Sequence, residues 1–227
     1  MLKQACAALA FSVVLTSPVL AEDTPKNPLT DSEAWTEIKS WLFDEDTALT
    51  ETRDILAVEA PYRAHDAATV PIVLKQVDAT QMISRVTAVV DENPAPVVGE
   101  FTFSEAMAPL DFEMRVRVEQ YSNVRVISET ESGYYMSGGF VKASGGCAAP
   151  ASGDAAEALA SMGKMKLRSF EPAVAMSTPR REAQIMIRHP NYSGLQRDQI
   201  TQLFIQPHFI DNLEVWQGDE LLFSVTA

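Results

Sequence analysis

Apolar and charged side chains alternate without interruption from residue 112 to residue 119. The apolar positions are Phe112, Met114, Val116 and Val118, and the charged positions between them are Glu113, Arg115, Arg117 and Glu119. Successive side chains of a β-strand point to opposite faces of a sheet, so this pattern predicts a strand with one buried face and one solvent-facing face. The chain is therefore expected to be built from sheets.

Short apolar segments separated by turn residues continue this pattern along the chain. We predict further strands at residues 55–60, 69–77, 83–90, 97–103, 124–128, 134–143, 165–170, 184–188, 201–205, 213–217 and 220–225. Turn residues predict turns at 121–123 and 131–133, and Gly218-Asp219 predicts a tight hairpin. Many short strands joined by such turns are typical of an antiparallel β-sandwich. The expected fold class is therefore mainly β.

Two short helices are predicted beside these strands. Thr30-Asp31-Ser32-Glu33 has the spacing of a capping box, and Trp35, Ile38 and Leu42 follow at helical spacing, which predicts a helix that ends near residue 43. Residues 154–162 are rich in alanine and predict a second, shorter helix.

Residues 1–21 have the pattern of a signal peptide. Met1-Leu2-Lys3 is a short basic start, residues 7–19 are apolar, and Val19-Leu20-Ala21 supplies small residues before a cleavage site. The apolar core of about a dozen residues is too short to span a bilayer, and no other apolar run is long enough. We expect a protein that is exported and has no membrane span.

Charge and composition exclude some classes of function. The chain of 227 residues is 46% hydrophobic, which is enough for a substantial core, and it has a formal net charge of -13. Binding to phosphate backbones needs clusters of Lys and Arg, and the sequence shows no such cluster. We therefore expect no nucleic-acid partner.

Residues 144–153 form a small, uncharged stretch that contains Cys147. The only other cysteine, Cys6, lies in the predicted signal peptide, so Cys147 can form no internal disulfide once that peptide is removed. We expect an exposed, mobile thiol on an arm, with Gly145 and Gly146 as its hinge. The alternatives are a buried core cysteine and an incidental linker cysteine, and an interchain disulfide through Cys147 stays open.

The residues near Cys147 do not predict an activated thiolate. No basic residue is adjacent to it, and Lys142 is the nearest. Such a thiol suits a carrier better than an enzyme, because a partner that binds the arm can supply the activation. We assign no catalytic residue, although catalytic groups can assemble from distant positions. The three histidines, His65, His189 and His208, lack metal-ligand spacing, so we predict no metal site and no cofactor and assign them no role.

Two parts of the chain resemble known sulfur oxidation proteins. The segment Phe140-Val141-Lys142-Ala143-Ser144-Gly145-Gly146-Cys147 resembles the end of SoxY, whose thiol lies in a Gly-Gly-Cys-Gly-Gly swinging arm. Further on, Met186-Ile187-Arg188-His189-Pro190, Ser193-Gly194 and Pro207-His208-Phe209-Ile210 resemble the His-Pro…Thr-Gly…Pro-Ala-His-Phe segment of SoxZ. Their order in one exported chain is similar to the fused SoxYZ-like carriers associated with quinoprotein dehydrogenases.

This resemblance implies a periplasmic, non-enzymatic carrier with two immunoglobulin-like antiparallel β-sandwich domains and an N-terminal helix. Cys147 would be the covalent attachment site for a sulfur intermediate, and Gly145 and Gly146 would be the hinge of the arm. The implied partners are periplasmic redox enzymes of the haem or quinoprotein type and a hydrolase that releases sulfate. The rival hypothesis is a β-sandwich adaptor for a quinoprotein dehydrogenase system, in which Cys147 is dispensable.

The implied domains are a signal peptide (1–21), a SoxY-like domain (22–143), an arm with a short helix (144–162) and a SoxZ-like domain (163–227). The sequence departs from the family pattern in three ways. The cysteine is followed by further chain, alanines replace the glycines after it, and residues 163–227 are too few to close a sandwich. We therefore expect an incomplete second sandwich and an arm of shorter reach.

Overall fold

The computed structural model describes residues 27–149, 159–170, 181–198 and 200–227. Helix α1 (Glu33–Leu42) precedes twelve strands in these ranges, and a short 3-10 helix spans Glu105–Met107. The strands are β1 (Leu49–Glu51), β2 (Leu56–Glu59), β3 (Val70–Gln76), β4 (Arg85–Val90), β5 (Val97–Phe103), β6 (Asp111–Val116), β7 (Ser122–Thr130), β8 (Gly133–Val141), β9 (Met165–Phe170), β10 (Glu182–Ile187), β11 (Asn212–Gln217) and β12 (Glu220–Thr226). The predicted class, mainly β with antiparallel sheets and an N-terminal helix, is confirmed.

Two sheets enclose the main core. The larger has the strand order β1-β8-β7-β4-β5-β12-β11, and the smaller has the order β2-β3-β6. Every neighbouring pair in them is antiparallel except β1 and β8, which are parallel. Apolar side chains from both sheets form one buried cluster, which includes Ile72 and Leu74 of β3, Val126 of β7 and Phe101 of β5. The two sheets therefore pack as a sandwich.

The alternating pattern produces the expected faces. In β3, Val70, Ile72 and Leu74 are fully buried, as predicted. In β6 the charged side chains at odd positions are exposed, and the partner of Ile72 across the ladder is Met114. Burial of one face on each strand accounts for the register, because a slip of one residue would expose this apolar set.

Helix α1 covers the outer face of the larger sheet. Ile38 packs with Val89, Ile127 and Met136 on the side of that sheet opposite the main core. The helix is capped by Ser32, whose hydroxyl accepts a hydrogen bond from the Trp35 N–H. The capping box predicted from Thr30 is therefore wrong in its cap residue, because the Thr30 hydroxyl donates to the Asn123 side chain instead.

Two further sequence predictions of local structure are wrong. Residues 122 and 123, predicted as part of a turn, begin β7 and are almost fully buried. Their polar side chains are satisfied internally: the Asn123 amide donates to Asp91, and the Ser122 hydroxyl accepts from the Glu92 N–H. The strand predicted at 201–205 does not form, and only an isolated bridge joins Phe204 to Arg197 there.

The C-terminal strands are divided between two sheets. Strands β9 and β10 form a separate antiparallel pair. The hairpin β11–β12, which closes at Gly218 and Asp219 as predicted, extends the larger sheet because β12 pairs with β5. The predicted domain boundary at residue 163 stays a prediction, and the β5–β12 ladder joins the two segments through one sheet.

Some sequence predictions concern residues outside the described ranges. The signal peptide at 1–21 and most of the helix at 154–162 are among them, although residues 159 and 160 are helical. Within the ranges that are described, no helix has the length and apolar character needed to cross a bilayer.

Candidate functional site

Residues 144–149, here called the cysteine loop, lie directly after β8 and fold back against the chain that follows β6. The Gly145 N–H donates to the Glu119 carbonyl at 2.8 Å, and the Gly146 N–H donates to the Val118 carbonyl at 3.0 Å. Residues 146–148 form a turn that places Cys147 at the edge of the sandwich. The alternating segment that predicts β6 therefore also provides the surface that receives the loop.

Cys147 is buried, with 8% of its surface exposed. The prediction of an exposed thiol is therefore wrong for this conformation. The physical reason is Gly146, at which an added Cβ would overlap the carbonyl oxygens of Ala67 and Val118. A stretch of small residues favours a mobile arm, but the absence of a side chain at Gly146 also lets the backbone pack closely.

Glu119 is the principal polar neighbour of Cys147. One of its carboxylate oxygens accepts the Cys147 N–H at 2.7 Å and the Ala148 N–H at 3.3 Å. Burial raises the pKa of the Cys147 thiol above its usual value, and the Glu119 carboxylate raises it further, while the Arg117 guanidinium acts in the opposite direction. The sulfur is therefore held as a neutral thiol near neutral pH.

Arg117 and Ser193 bind backbone carbonyl groups of the cysteine loop. Arg117 donates to the Gly146 carbonyl at 2.6 Å and reaches the Asn191 carbonyl at 3.5 Å. The Ser193 hydroxyl donates to the Cys147 carbonyl at 2.7 Å. The loop is thus held between a segment of the first sandwich and a segment that lies 46 residues further along the chain.

The segment around Ser193 is itself fixed by buried contacts. Gln196, which is 1% exposed, accepts the Ser193 N–H at 2.9 Å. Gly194 has a φ of 90°, and an added Cβ there would come to 2.9 Å from Pro207. These contacts explain why a Ser-Gly pair suits positions 193 and 194: the serine holds the loop, and the glycine permits the turn.

Two of the three histidines are brought together near this segment. The rings of His189 and His208 meet edge to face, with centroids 5.0 Å apart. The Nδ1 atom of His189 accepts the Asn191 N–H at 3.1 Å, so this histidine shapes the turn that leads to Ser193. His65 is exposed and keeps no assigned role. No cluster of three metal-ligating side chains occurs in the ranges that the structure describes.

Sequence reasoning missed the residues that hold the loop. The alternating pattern predicts Arg117 and Glu119 only as part of the charged face of a strand, whereas they lie just beyond the end of β6 at Val116. The available signal was the continued alternation past the strand, which keeps their side chains on one side. Together, the Glu119 carboxylate, the Arg117 guanidinium and the Ser193 hydroxyl hold the loop that carries a protonated thiol. The pKa of this thiol is raised, which is the opposite of what an activated nucleophile needs.

Comparison with known proteins gives two family matches. Residues 40–147 match the family model for the sulfur oxidation protein SoxY, and residues 172–227 match the model for the sulfur oxidation protein SoxZ. A solved structure of the sulfur carrier protein SoxY from Chlorobium limicola f thiosulfatophilum aligns with 20% identity and a TM-score of 0.38, over 47% of this chain and 92% of that chain. No curated protein matches the chain.

Proposed function

The chain carries a SoxY domain followed by a SoxZ domain of the sulfur oxidation proteins, and from this premise we propose that it is a periplasmic carrier that holds a sulfur intermediate covalently on Cys147. SoxY and SoxZ proteins are carriers rather than catalysts. The cargo would be bonded to the cysteine sulfur while partner enzymes act on it.

One observation carries this proposal: the SoxY match ends at Cys147 itself. The match thus includes the Gly145-Gly146-Cys147 stretch, and Cys147 is the only cysteine of the sequence beyond the predicted signal peptide. A thiol that has no partner for an internal disulfide is available for a covalent adduct. The roles of Cys147 as the attachment site and of Gly145 and Gly146 as a hinge belong to this proposal.

The proposed carrier cycle has a retained state, in which the cysteine loop has the contacts described above, and a released state. In the retained state Cys147 is buried and its loop is held by Glu119, Arg117 and Ser193. A partner enzyme cannot reach a sulfur in that position, so loading and unloading require the loop to leave the surface of the sandwich. The hinge would act at this step.

The location and the partners follow from the same premise. The basic start, apolar core and small residues of positions 1–21 support export to the periplasm. The proposed partners are periplasmic redox enzymes of the haem or quinoprotein type and a hydrolase that releases sulfate. The order of a SoxY part before a SoxZ part in one chain is the basis for proposing the quinoprotein-associated subtype.

The decisive experiment is the intact mass of the protein isolated from the periplasm, with and without reductant. We expect an adduct on Cys147 that is heavier by sulfur or a sulfur oxyanion and is lost on reduction. The variant Cys147→Ser should fold normally, carry no adduct and fail to support sulfur oxidation, whereas the nearby variant Ser144→Ala should behave as wild type.

Two other outcomes would point elsewhere. An unmodified thiol under every growth condition, together with full activity of Cys147→Ser, would contradict the carrier function and favour the adaptor hypothesis. A doubled mass that collapses on reduction would indicate an interchain disulfide, which also requires the loop to open because Cys147 is buried in the retained state.

A further inference from the structure

We propose that Glu119 makes the position of the cysteine loop depend on the charge that Cys147 carries. A neutral thiol is retained against the sandwich, and an anionic sulfur adduct is expelled into solvent. This inference rests on the proposed carrier function and adds to it a chemical class of cargo and a mechanism of release.

The first step of the argument is the contact between Glu119 and the loop. Four consecutive N–H groups, from Gly145 to Ala148, donate to acceptors of residues 118 and 119. Two of these four bonds go to the Glu119 carboxylate, and hydrogen bonding to that carboxylate is the smallest of the causes that act on the pKa of the Cys147 thiol. A thiol can donate to a carboxylate, but a sulfur that has lost its proton or gained an anionic group cannot.

The second step concerns space. Cys147 is 8% exposed, and its neighbour Gly146 lies against the Ala67 and Val118 carbonyls too closely to admit a single added carbon. An adduct enlarges the side chain by a sulfur, or by a sulfur and several oxygens, in a position with little free volume. Addition of cargo therefore weakens the retained state by bulk alone, whatever its charge.

The third step concerns charge. Burial is the largest effect that disfavours a negative charge on the sulfur, and of the two charged neighbours the Glu119 carboxylate disfavours it while Arg117 favours it. The carboxylate has the larger effect, and Arg117 is also engaged with the Gly146 and Asn191 carbonyls. An anionic adduct would thus be placed beside a carboxylate of like charge in a poorly solvated position, where repulsion is strong. Release of the loop restores hydration to both charges.

The consequence is a carrier whose cysteine loop is exposed when Cys147 bears an anionic adduct and is retained when Cys147 is an unmodified thiol. The empty thiol is neutral, buried and shielded from oxidants in an oxidising compartment. Sulfur adducts that carry a negative charge, such as sulfonate-like groups, cause the cysteine loop to be released, which exposes them to the next enzyme. Uncharged adducts of similar size should be exposed less.

The test uses two adducts of similar size and opposite charge on the full-length mature protein. Sulfonatoethyl methanethiosulfonate and trimethylammonioethyl methanethiosulfonate each react with the Cys147 thiolate, which forms a mixed disulfide and releases methanesulfinate. Intact mass verifies complete single labelling. Hydrogen exchange of the peptide that covers residues 144–149 then reports the four bonded N–H groups, with unlabelled protein as the reference.

We expect the anionic adduct to raise the exchange rate of these amides by at least about tenfold over the cationic adduct. In Glu119→Gln the faster exchange of the anionic adduct should disappear or reverse, because glutamine keeps the oxygen acceptor but not the charge and leaves Arg117 as the charged neighbour. Glu113→Gln, which changes an exposed carboxylate of β6, is the matched control and should preserve the wild-type difference.

Equal exchange for the two adducts in the wild type, or a faster exchange of the anionic adduct that persists in Glu119→Gln, would overturn the proposal. So would a thiol that neither reagent labels, because a loop that opens for loading must also open for a small reagent. None of these results depends on the natural cargo, so they leave the carrier function itself to be decided by the adduct mass and by Cys147→Ser.

Discussion

At the scale of single residues, the properties of Cys147 are set by its neighbours. Its own sequence context is small and uncharged, which suggested a free thiol of ordinary reactivity. The fold instead places it beside Glu119 and removes it from solvent, and both effects raise its pKa. The same cysteine would therefore react very differently in the retained and released positions of the loop.

The pKa shift predicts a pH profile for alkylation of Cys147. Because the pKa of the buried thiol is raised, the thiolate fraction at neutral pH is below that of a free cysteine, and the rate of reaction with iodoacetamide should reach half its maximum at a higher pH than for a free cysteine. Glu119→Gln should move this midpoint downward, since it removes a negative charge beside the sulfur. The measurement is the labelling rate as a function of pH, followed by intact mass. A midpoint in Glu119→Gln at or above that of the wild type would contradict the assigned role of the carboxylate, and Glu113→Gln should leave the midpoint unchanged.

At the scale of elements, the cysteine loop shows why small residues do not by themselves mean mobility. Backbone N–H groups from Gly145 to Ala148 are all hydrogen-bonded, and two carbonyls are held by Arg117 and Ser193. Such a loop is stabilised by many weak contacts that can be lost together. That combination suits an element that must be both stored and released.

Substitution of the two glycines of the loop is expected to have different effects on the labelling of Cys147. Gly146→Ala forces a Cβ into the Ala67 and Val118 carbonyls, so we expect the loop to detach and iodoacetamide to label Cys147 about tenfold faster or more. Gly145 has a φ of 78° but open space around its Cβ position, so Gly145→Ala should cost only about 1 kcal/mol of local strain and change labelling less.

Labelling rates at fixed pH check this comparison, and thermal unfolding checks that both variants fold. Equal labelling of Gly146→Ala and wild type would show that close packing at Gly146 does not retain the loop. If the hinge role is also correct, both variants should slow the delivery of cargo to partner enzymes.

At the scale of the whole molecule, the C-terminal hairpin stabilises the N-terminal sandwich. Phe223 of β12 is 8% exposed and lies in an aromatic cluster with Phe103 and Phe112, at centroid distances of 6.1 and 5.2 Å. The ladder between β5 and β12 aligns these strands. The first and last parts of the described chain are therefore expected to unfold together.

Truncation of this aromatic side chain tests that coupling. Phe223→Ala should lower the free energy of unfolding by about 3–5 kcal/mol, because it leaves a cavity in the main core. Trp216→Ala on β11 is the matched control: its side chain is 54% exposed, and the loss should be below about 1 kcal/mol. Urea unfolding followed by circular dichroism measures both. An unchanged midpoint for Phe223→Ala would show that the hairpin adds nothing to the sandwich.

The sequence by itself determined most of the strands and their faces, although not β1. The alternation at 112–118 and the apolar sets of β3 and β5 follow from local periodicity, because burial of one face acts on every second residue of a strand. The helix start near residue 32, the hairpin at 218–219 and the resemblance to SoxY and SoxZ were likewise readable from short segments. The hypothesis that Cys147 is the attachment site also came from the sequence, since it is the one cysteine outside the predicted signal peptide.

Only the tertiary structure decided what surrounds that cysteine. Burial of Asn123 depends on Asp91 and Thr30, and burial of Ser122 depends on Glu92. The strand predicted at 201–205 is absent because local propensity does not provide a pairing partner. Glu119, Arg117 and Ser193 meet the cysteine loop from positions 28 to 46 residues away along the chain. Contacts at such separations are set by how sheets and loops pack, and no local pattern of residues encodes them.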